Sequence, residues 1–431
     1  MKIAFFIDNC SIADVDVRFL EKGNPGIGGT EYLILLVASM LSSRSNGLEV
    51  KLLMTREQKV PQQIQSEVVG SLIDGIKKAD ADGCSLFILK HHVDNITEDC
   101  LHSSMGMQFL VWCHIFPCYW ELDYYASNNE VRNLVFVGRE MMDLYRDHPV
   151  FAKATYIYNC VSLAGCRVET ERNPFESRGH VVTYMGSLVP FKGFHLLAKA
   201  WPYILERVPD AQLYVIGSGQ LYDTNQKMGP CGIAQQDYEE LIMGYLAFNG
   251  KLHDSVHFMG RMGNEKKDIL LRTKVGVPNP SGITETFCLT AVEMQMLGAR
   301  IATVVAPGYL DTVKNGVLFK HPSELADAVV KMLEDNHTNY SDAVTYFEQE
   351  FSVEHVLKRW EHLLWEGFIS DNGRLSNVCY RFKWLKETIR QLSRLAPLNR
   401  HIPLVERVLI FAERRILRRA TYMDSNLRVC K

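Results

Sequence analysis

The sequence predicts two doubly wound α/β domains in series, followed by C-terminal helices and a basic helical tail. Three observations carry that reading. Short apolar runs alternate with helix-compatible segments twice along the chain, before residue 160 and again after residue 180. Several of these runs end in glycine-containing turns, where open α/β sheets carry their ligand loops. Between the two alternations, residues 163–179 are polar and charged and include Gly165, Pro174 and Gly179, which marks a linker. The division that follows is a first domain at 1–165, a second at 166–350, a crossover helix at 351–373 and a tail at 374–431.

In the first domain, an apolar run follows the single basic residue Lys2 and stops at Asp8, so residues 2–8 read as a buried strand and not as a signal peptide. Gly26-Ile27-Gly28-Gly29-Thr30-Glu31 then precedes an apolar helix at 32–41. Strand, glycine-rich loop and helix can cradle a phosphate; a plain loop tip is the alternative. The glycines do not follow the strand directly as G-x-G-x-x-G, which speaks against a nicotinamide dinucleotide site. Further strands are expected at 48–54, 85–90, 109–113 and 133–137, with a last one and its exit loop at 156–159. His114 directly follows a strand, the position of a ligand group or of a strand cap. Asp80-Ala81-Asp82 stands in a Lys-, Gly- and Asp-rich stretch and reads as a surface turn, not a metal site.

The second domain restarts with a strand at 181–185, the loop 186–193 and a helix at 194–207 with a kink expected at Pro202. Strands follow at 211–216, 256–259, 275–277, 300–305 and 316–319, with a helix at 323–334. Lys192 stands in a two-glycine loop at a helix start, where a cation can pair with phosphate oxygens or serve as an ordinary surface lysine. In Pro278–Glu293, two carboxylates bracket seven residues at a strand–loop–helix junction. Glu285 is expected on the loop and Glu293 about two turns into the helix. Both could accept hydrogen bonds from hydroxyls flanking a diphosphate at the helix N-terminus, or simply be solvated helix-start charges.

Composition narrows the classes further. Eleven scattered cysteines without a C-x-x-C pair fit a reducing cytosol and exclude a disulfide scaffold and a structural zinc site. No uncharged stretch reaches transmembrane length. Net charge is −3 overall, yet residues 374–431 hold 14 Lys and Arg against 4 Asp and Glu, a net of +10, leaving −13 on the rest. An acidic body with a basic tail suggests that the tail has an anionic partner of its own. Helices expected between 378 and 419 would place Leu404, Val408 and Phe411 on one side and Arg407, Arg414 and Arg415 elsewhere. Such a helix can lie on anionic lipid or pack on the acidic body.

Taken together, these segments resemble the family 4 glycosyltransferases, retaining enzymes of the GT-B fold. The resemblance runs over roughly residues 1 to 365. It is carried by Gly28-Gly29-Thr30-Glu31 (a G-G-x-E loop), His114, Asn159 and Gly186 to Lys192-Gly193. It continues through Val215 to Gly219, Phe258-Met259-Gly260, Pro280-Ser281 with Glu285-x7-Glu293, and Gly308 to Gly316.

The resemblance implies a GT-B architecture, two Rossmann-like domains facing a cleft that holds a nucleotide diphosphate sugar, with no metal or other cofactor. Lys192 would contact the diphosphate, Glu285 the donor sugar and Glu293 the ribose. Backbone groups of Cys288, Leu289 and Thr290 would meet the phosphates, and Met262 would border the base. Gly28 and Gly29 would approach from the first domain, with Ser187 and Gly219 also on the donor side and His114 near the donor sugar and acceptor. The catalytic set is then His114, Lys192 and Glu285. Two positions depart from the pattern: Ser187 replaces an arginine, which Arg261 or Arg139 could compensate, and Cys288 replaces a glycine. The expected activity is retaining transfer to a hydroxyl, on a saccharide or lipid-linked acceptor, in polysaccharide or glycolipid assembly. The expected place is the cytoplasm, peripheral on the inner membrane face through 374–431, with no nucleic-acid partner. A catalytically degenerate GT-B subunit and a sugar-nucleotide epimerase are the alternatives within the fold.

Overall fold

The computed structural model describes residues 1–367 apart from 45–46, 92–105, 118, 146–147, 163–164 and 222–225; the expected tail helices lie outside the described residues. Strands β1 (Lys2–Ile7), β2 (Glu49–Met54), β3 (Gln65–Val68), β4 (Leu86–Lys90), β5 (Gln108–Cys113), β6 (Val131–Phe136) and β7 (Ala154–Tyr156) make one parallel sheet in the order β3-β2-β1-β4-β5-β6-β7. Strand β1 has five consecutive buried residues, as expected of a parallel strand covered on both faces. Helices α1 (Gly29–Ser42), α2 (Leu72–Ala81), α3 (Tyr119–Ser127) and α4 (Arg139–Asp143) connect its strands. Helix α1 is buried almost all round, from Tyr32 to Ser39, so its apolar run reflects packing on more than one side.

Helix α5 (Cys166–Arg172) leads to the second sheet. This sheet comprises β8 (Val181–Met185), β9 (Gln212–Ile216), β12 (Val256–Gly260), β13 (Val275–Gly276), β14 (Arg300–Val304) and β15 (Gly316–Phe319), parallel and in the order β12-β9-β8-β13-β14-β15. A small antiparallel hairpin, β10 (Ala247–Phe248) with β11 (Lys251–Leu252), stands apart from it. The covering helices are α6 (Phe194–Arg207), α7 (Gln236–Leu246), α8 (Lys266–Leu270), α9 (Leu289–Met296), α10 (Pro307–Thr312), α11 (Leu325–Glu334) and α12 (Tyr340–Glu350). Set the hairpin aside and the two sheets share one strand order, stepping outward from the first strand and then back across it. The reversal falls between β1 and β4 in one sheet and between β8 and β13 in the other. Ligands of open α/β sheets bind at that reversal, beyond the carboxyl ends of the strands.

The last described helix, α13 (Val353–Glu366), returns to the first sheet. Its Trp360 is fully buried, with its ring centroid 4.7 Å from that of Trp112 and 6.3 Å from that of Phe5. Arg44 pairs with Glu354 and, at 3.2 Å, with Glu361. The two chain crossings between the halves run side by side, since Val161 N–H donates to the Phe351 carbonyl at 2.9 Å and Val161 bridges Ser352 in parallel.

Several elements differ from expectation. The linker 163–179 contains helix α5 and a 3-10 turn, because Cys166 and Phe175 are buried among otherwise polar residues. Asp80 and Ala81 close helix α2 and Asp82 caps it, its carboxylate pairing with Lys51 and with Lys78. Helix α6, by contrast, has the expected bounds, with Pro202 inside it. Of the three aromatic residues that the sequence suggests as anchors of the crossover helix, Trp360 is buried, Trp365 is 48 % exposed and Phe368 lies outside the described residues. Among the described residues no helix is long and apolar enough to cross a membrane.

Candidate functional site

The loops leaving β8 and β13 flank the reversal of the second sheet and meet each other there. After β8 the chain reaches a 3-10 turn at Pro190–Lys192, then Gly193 at φ 71°. That left-handed conformation favours glycine, and the contact requires it: a Cβ on Gly193 would sit 2.7 Å from the Ser281 nitrogen. The Ser281 hydroxyl closes the junction by donating to the Phe191 carbonyl at 2.6 Å. The Lys192 turn is thereby stapled onto the loop that carries Glu285.

That loop is unusually bent. Asn279 and Thr284 have positive φ values of 28° and 57°, and Gly282 one of 62°. Its carbonyls at Pro278 and Asn279 are held by the Tyr309 hydroxyl at 2.8 and 3.0 Å, and Gly308 N–H donates to the Glu285 carbonyl at 3.1 Å. Glu285 is 6 % exposed; its carboxylate accepts from Asn279 Nδ2 at 2.8 Å and faces Lys192 Nζ at 3.4 Å. A buried carboxylate requires such partners. Asn279 belongs to none of the motifs above, although an asparagine between two prolines is a signal for irregular backbone.

Helix α9 begins at Leu289, and at about 3.6 residues per turn Glu293 lies about one turn in, not two. Its carboxylate pairs with Lys266 Nζ of α8 at 2.9 Å. Glu285 and Glu293 therefore face different lysines. Glu293 borders a cavity of about 310 Å³ between the halves, lined also by Asn24, Tyr32, Val161, Lys266 and Leu289. Cys288 caps α9 at φ −93°, a conformation open to any residue. Its thiol lies 3.3 Å from the Thr290 hydroxyl, and burial pushes its pKa up to about 12. The amides of Leu289 and Thr290 open the helix, where backbone N–H groups have no helical partner.

The first half closes over this end. A Cβ on Gly29 would lie 3.2 Å from Leu289 Cδ1, which places the glycine loop against the start of α9. Arg261 donates to the Gly26 carbonyl at 3.1 Å, and Met262, half-buried, packs against the core shared by both halves. Glu31 accepts from Lys90 Nζ at 3.0 Å. His114 is 6 % exposed, its ring centroid 4.5 Å from that of Trp112, and its Nε2 has no hydrogen-bond partner among the described residues. Burial, with the nearby Lys90 charge, holds its pKa well below the usual 6.5, so the ring is neutral at pH 7. The His114 carbonyl accepts from Thr286 Oγ1 at 2.6 Å across the cleft.

The expected residues thus fall into one neighbourhood, with exceptions. Ser187 is buried and donates to the Ser218 carbonyl at 3.2 Å, so its hydroxyl is engaged within its own domain. Gly219 is buried where a Cβ would meet Ala234 at 2.8 Å, a packing position. Arg261 is engaged with the glycine loop, while Arg139 opens α4 and exerts its charge at Tyr346. Asn279, Lys266, Thr286 and Lys90 join the neighbourhood without having been marked in the sequence.

Two α/β sheets facing across these loops define the GT-B fold. Residues 179–335 match the family described as "Glycosyl transferases group 1". Similar solved structures include HepE of Anabaena in complex with UDP and glucose, at 16 % identity and TM-score 0.60, covering 84 % of this chain and 99 % of that one. Sucrose-phosphate synthase of Thermosynechococcus elongatus is similar at 17 % identity and TM-score 0.63, covering 85 % and 98 %. A glycosyltransferase of Rickettsia africae is similar at 13 % identity and TM-score 0.62, covering 86 % and 99 %. At these identities the likeness is one of fold. No curated protein matches the chain.

Proposed function

We propose that the protein is a retaining glycosyltransferase that moves a sugar from a nucleotide diphosphate to a hydroxyl acceptor without a metal. The observation that carries this is the junction of Lys192, Glu285 and the first turn of α9, with Gly29 packed against Leu289 from the other half. A cation, a helix N-terminus and a buried hydroxyl-binding carboxylate are the groups that an electrophilic sugar diphosphate needs. In the reaction, the acceptor oxygen bonds to the anomeric carbon as the bond from that carbon to the diphosphate oxygen breaks. The electron pair leaves with the diphosphate, and the acceptor's proton passes to a phosphate oxygen on the same face. Lys192 and the helix dipole stabilise the developing charge, the role of preorganised donors in general. Glu285 orients the sugar, Glu293 takes the ribose, and neutral His114 faces the reacting centre.

A screen of nucleotide diphosphate sugars scored by nucleotide release tests this reading. The parent protein is expected to release nucleotide with at least one donor, and Lys192→Ala and Glu285→Ala to lower the rate at least 100-fold, the scale of one lost transition-state donor. Near-parental rates in both variants would overturn the site. The engaged hydroxyl of Ser187 motivates a degenerate subunit as the second reading. Calorimetry separates the two, since a degenerate subunit binds no donor in the same screen.

The acceptor is proposed to be a saccharide or lipid-linked saccharide, met at an anionic membrane surface through residues 374–431. Their net charge of +10 supports this. Deleting 374–431 is expected to release the protein from vesicles containing phosphatidylserine; unchanged flotation refutes it.

A further inference from the structure

We propose that Asp311 is a positioning residue that clasps the two halves together, holding the His114 segment of the first against the Glu285 loop of the second. Asp311 lies on α10 and is 5 % exposed. Both of its carboxylate oxygens reach the other half: one accepts from the Glu140 backbone N–H at 3.1 Å, the other from the Tyr158 hydroxyl at 3.0 Å. The approach is tight. A Cβ on Gly138, just before α4, would lie 2.8 Å from Asp311 Oδ2 and 3.0 Å from the Thr286 carbonyl. The same short helix supports the site loop through Gly308 and Tyr309, which hold the Glu285, Pro278 and Asn279 carbonyls. One six-residue helix therefore joins the clasp to the proposed sugar-binding carboxylate. Thr286, next to Glu285, makes the parallel contact to His114.

The charges around the clasp are mixed. Glu140 faces it from α4, Lys314 from the end of α10 and Tyr158 from the loop after β7. Tyr346 of α12 lies behind, with Arg139 and Glu350 nearby. Burial outweighs the hydrogen bonds and raises the Asp311 carboxyl from 3.8 to about 7. In an opened molecule, where water reaches Asp311, the ordinary value of 3.8 returns. The closed form thus binds more protons between those two values. Closure is favoured by acid, weakens as pH rises through that window, and loses no more above about 7.

Small-angle scattering of the full chain without substrate tests the clasp. The radius of gyration is expected to grow as pH rises from about 5.5 to about 7 and to level off up to about 8.5, and to be flat across the range in Asp311→Asn. Tyr158→Phe removes a donor that favours the ionised carboxylate, so its levelling point moves to higher pH. A parent with no pH response, an unchanged response in Asp311→Asn, or an unmoved levelling point in Tyr158→Phe overturns the proposal. The roles given to His114 and Glu285 rest on the transferase reading, but scattering needs no turnover. Failure of the clasp is read in the radius, and failure of the transferase reading in nucleotide release.

Discussion

At the scale of single residues, Cys288 sits in a backbone conformation that does not call for glycine. Glycine at a phosphate loop is demanded by positive φ or by a close neighbour. Here φ is −93° and the thiol has its own place beside Thr290. His114 presents the opposite case, a titratable group held where its charged form is disfavoured. Its pKa lies below 6.5 in the folded protein, so the unfolded chain binds more protons at acid pH. Stability should therefore rise with pH up to about 6.5 from this residue and stay level above it. Urea unfolding of the parent and of His114→Gln across that range checks the point: the variant is expected to show a shallower acid slope.

Among the elements, the loops were legible and their mutual contacts were not. The runs at 181–185 and 212–216 are apolar and glycine-terminated, so strand, turn and ligand loop could all be placed. Strand β3, Gln-Ser-Glu-Val, is a polar edge with two exposed ends and carries no hydrophobic signal. Helix α5 was lost in a charged linker because only Cys166 and Thr170 of its seven residues are buried. The bond from Thr286 to His114 joins positions 172 residues apart, and no local pattern encodes it. Gly193 links the legible to the illegible, being marked in sequence by its loop and in space by Ser281. Gly193→Ala is expected to cost roughly 1–2 kcal/mol for the left-handed backbone alone. It should also lower nucleotide release more than it lowers the melting temperature, because relief of the clash moves Lys192 away from Glu285. A thermal melt beside the release assay compares the two losses.

On the scale of the whole molecule, the chain reads as two successive modules but is built as an interleaved pair. Helix α13 follows the second half in sequence and packs on the first, with Trp360 against Phe5 and Trp112. Trp360→Ala is expected to destabilise the protein by about 3–5 kcal/mol, measured by denaturant titration, as for other buried large aromatics. The two chain crossings between the halves lie side by side, so a hinge between the halves would fall in that pair.

The return of α13 also sets an order of events during synthesis. Ribosomes add roughly 5–20 residues per second. Between the end of β7 at Tyr156 and the start of α13 at Val353, the first sheet must wait roughly 10–40 seconds for the helix that covers Phe5 and Trp112. During that interval the nascent protein displays an uncovered aromatic face, a natural surface for a chaperone to shield.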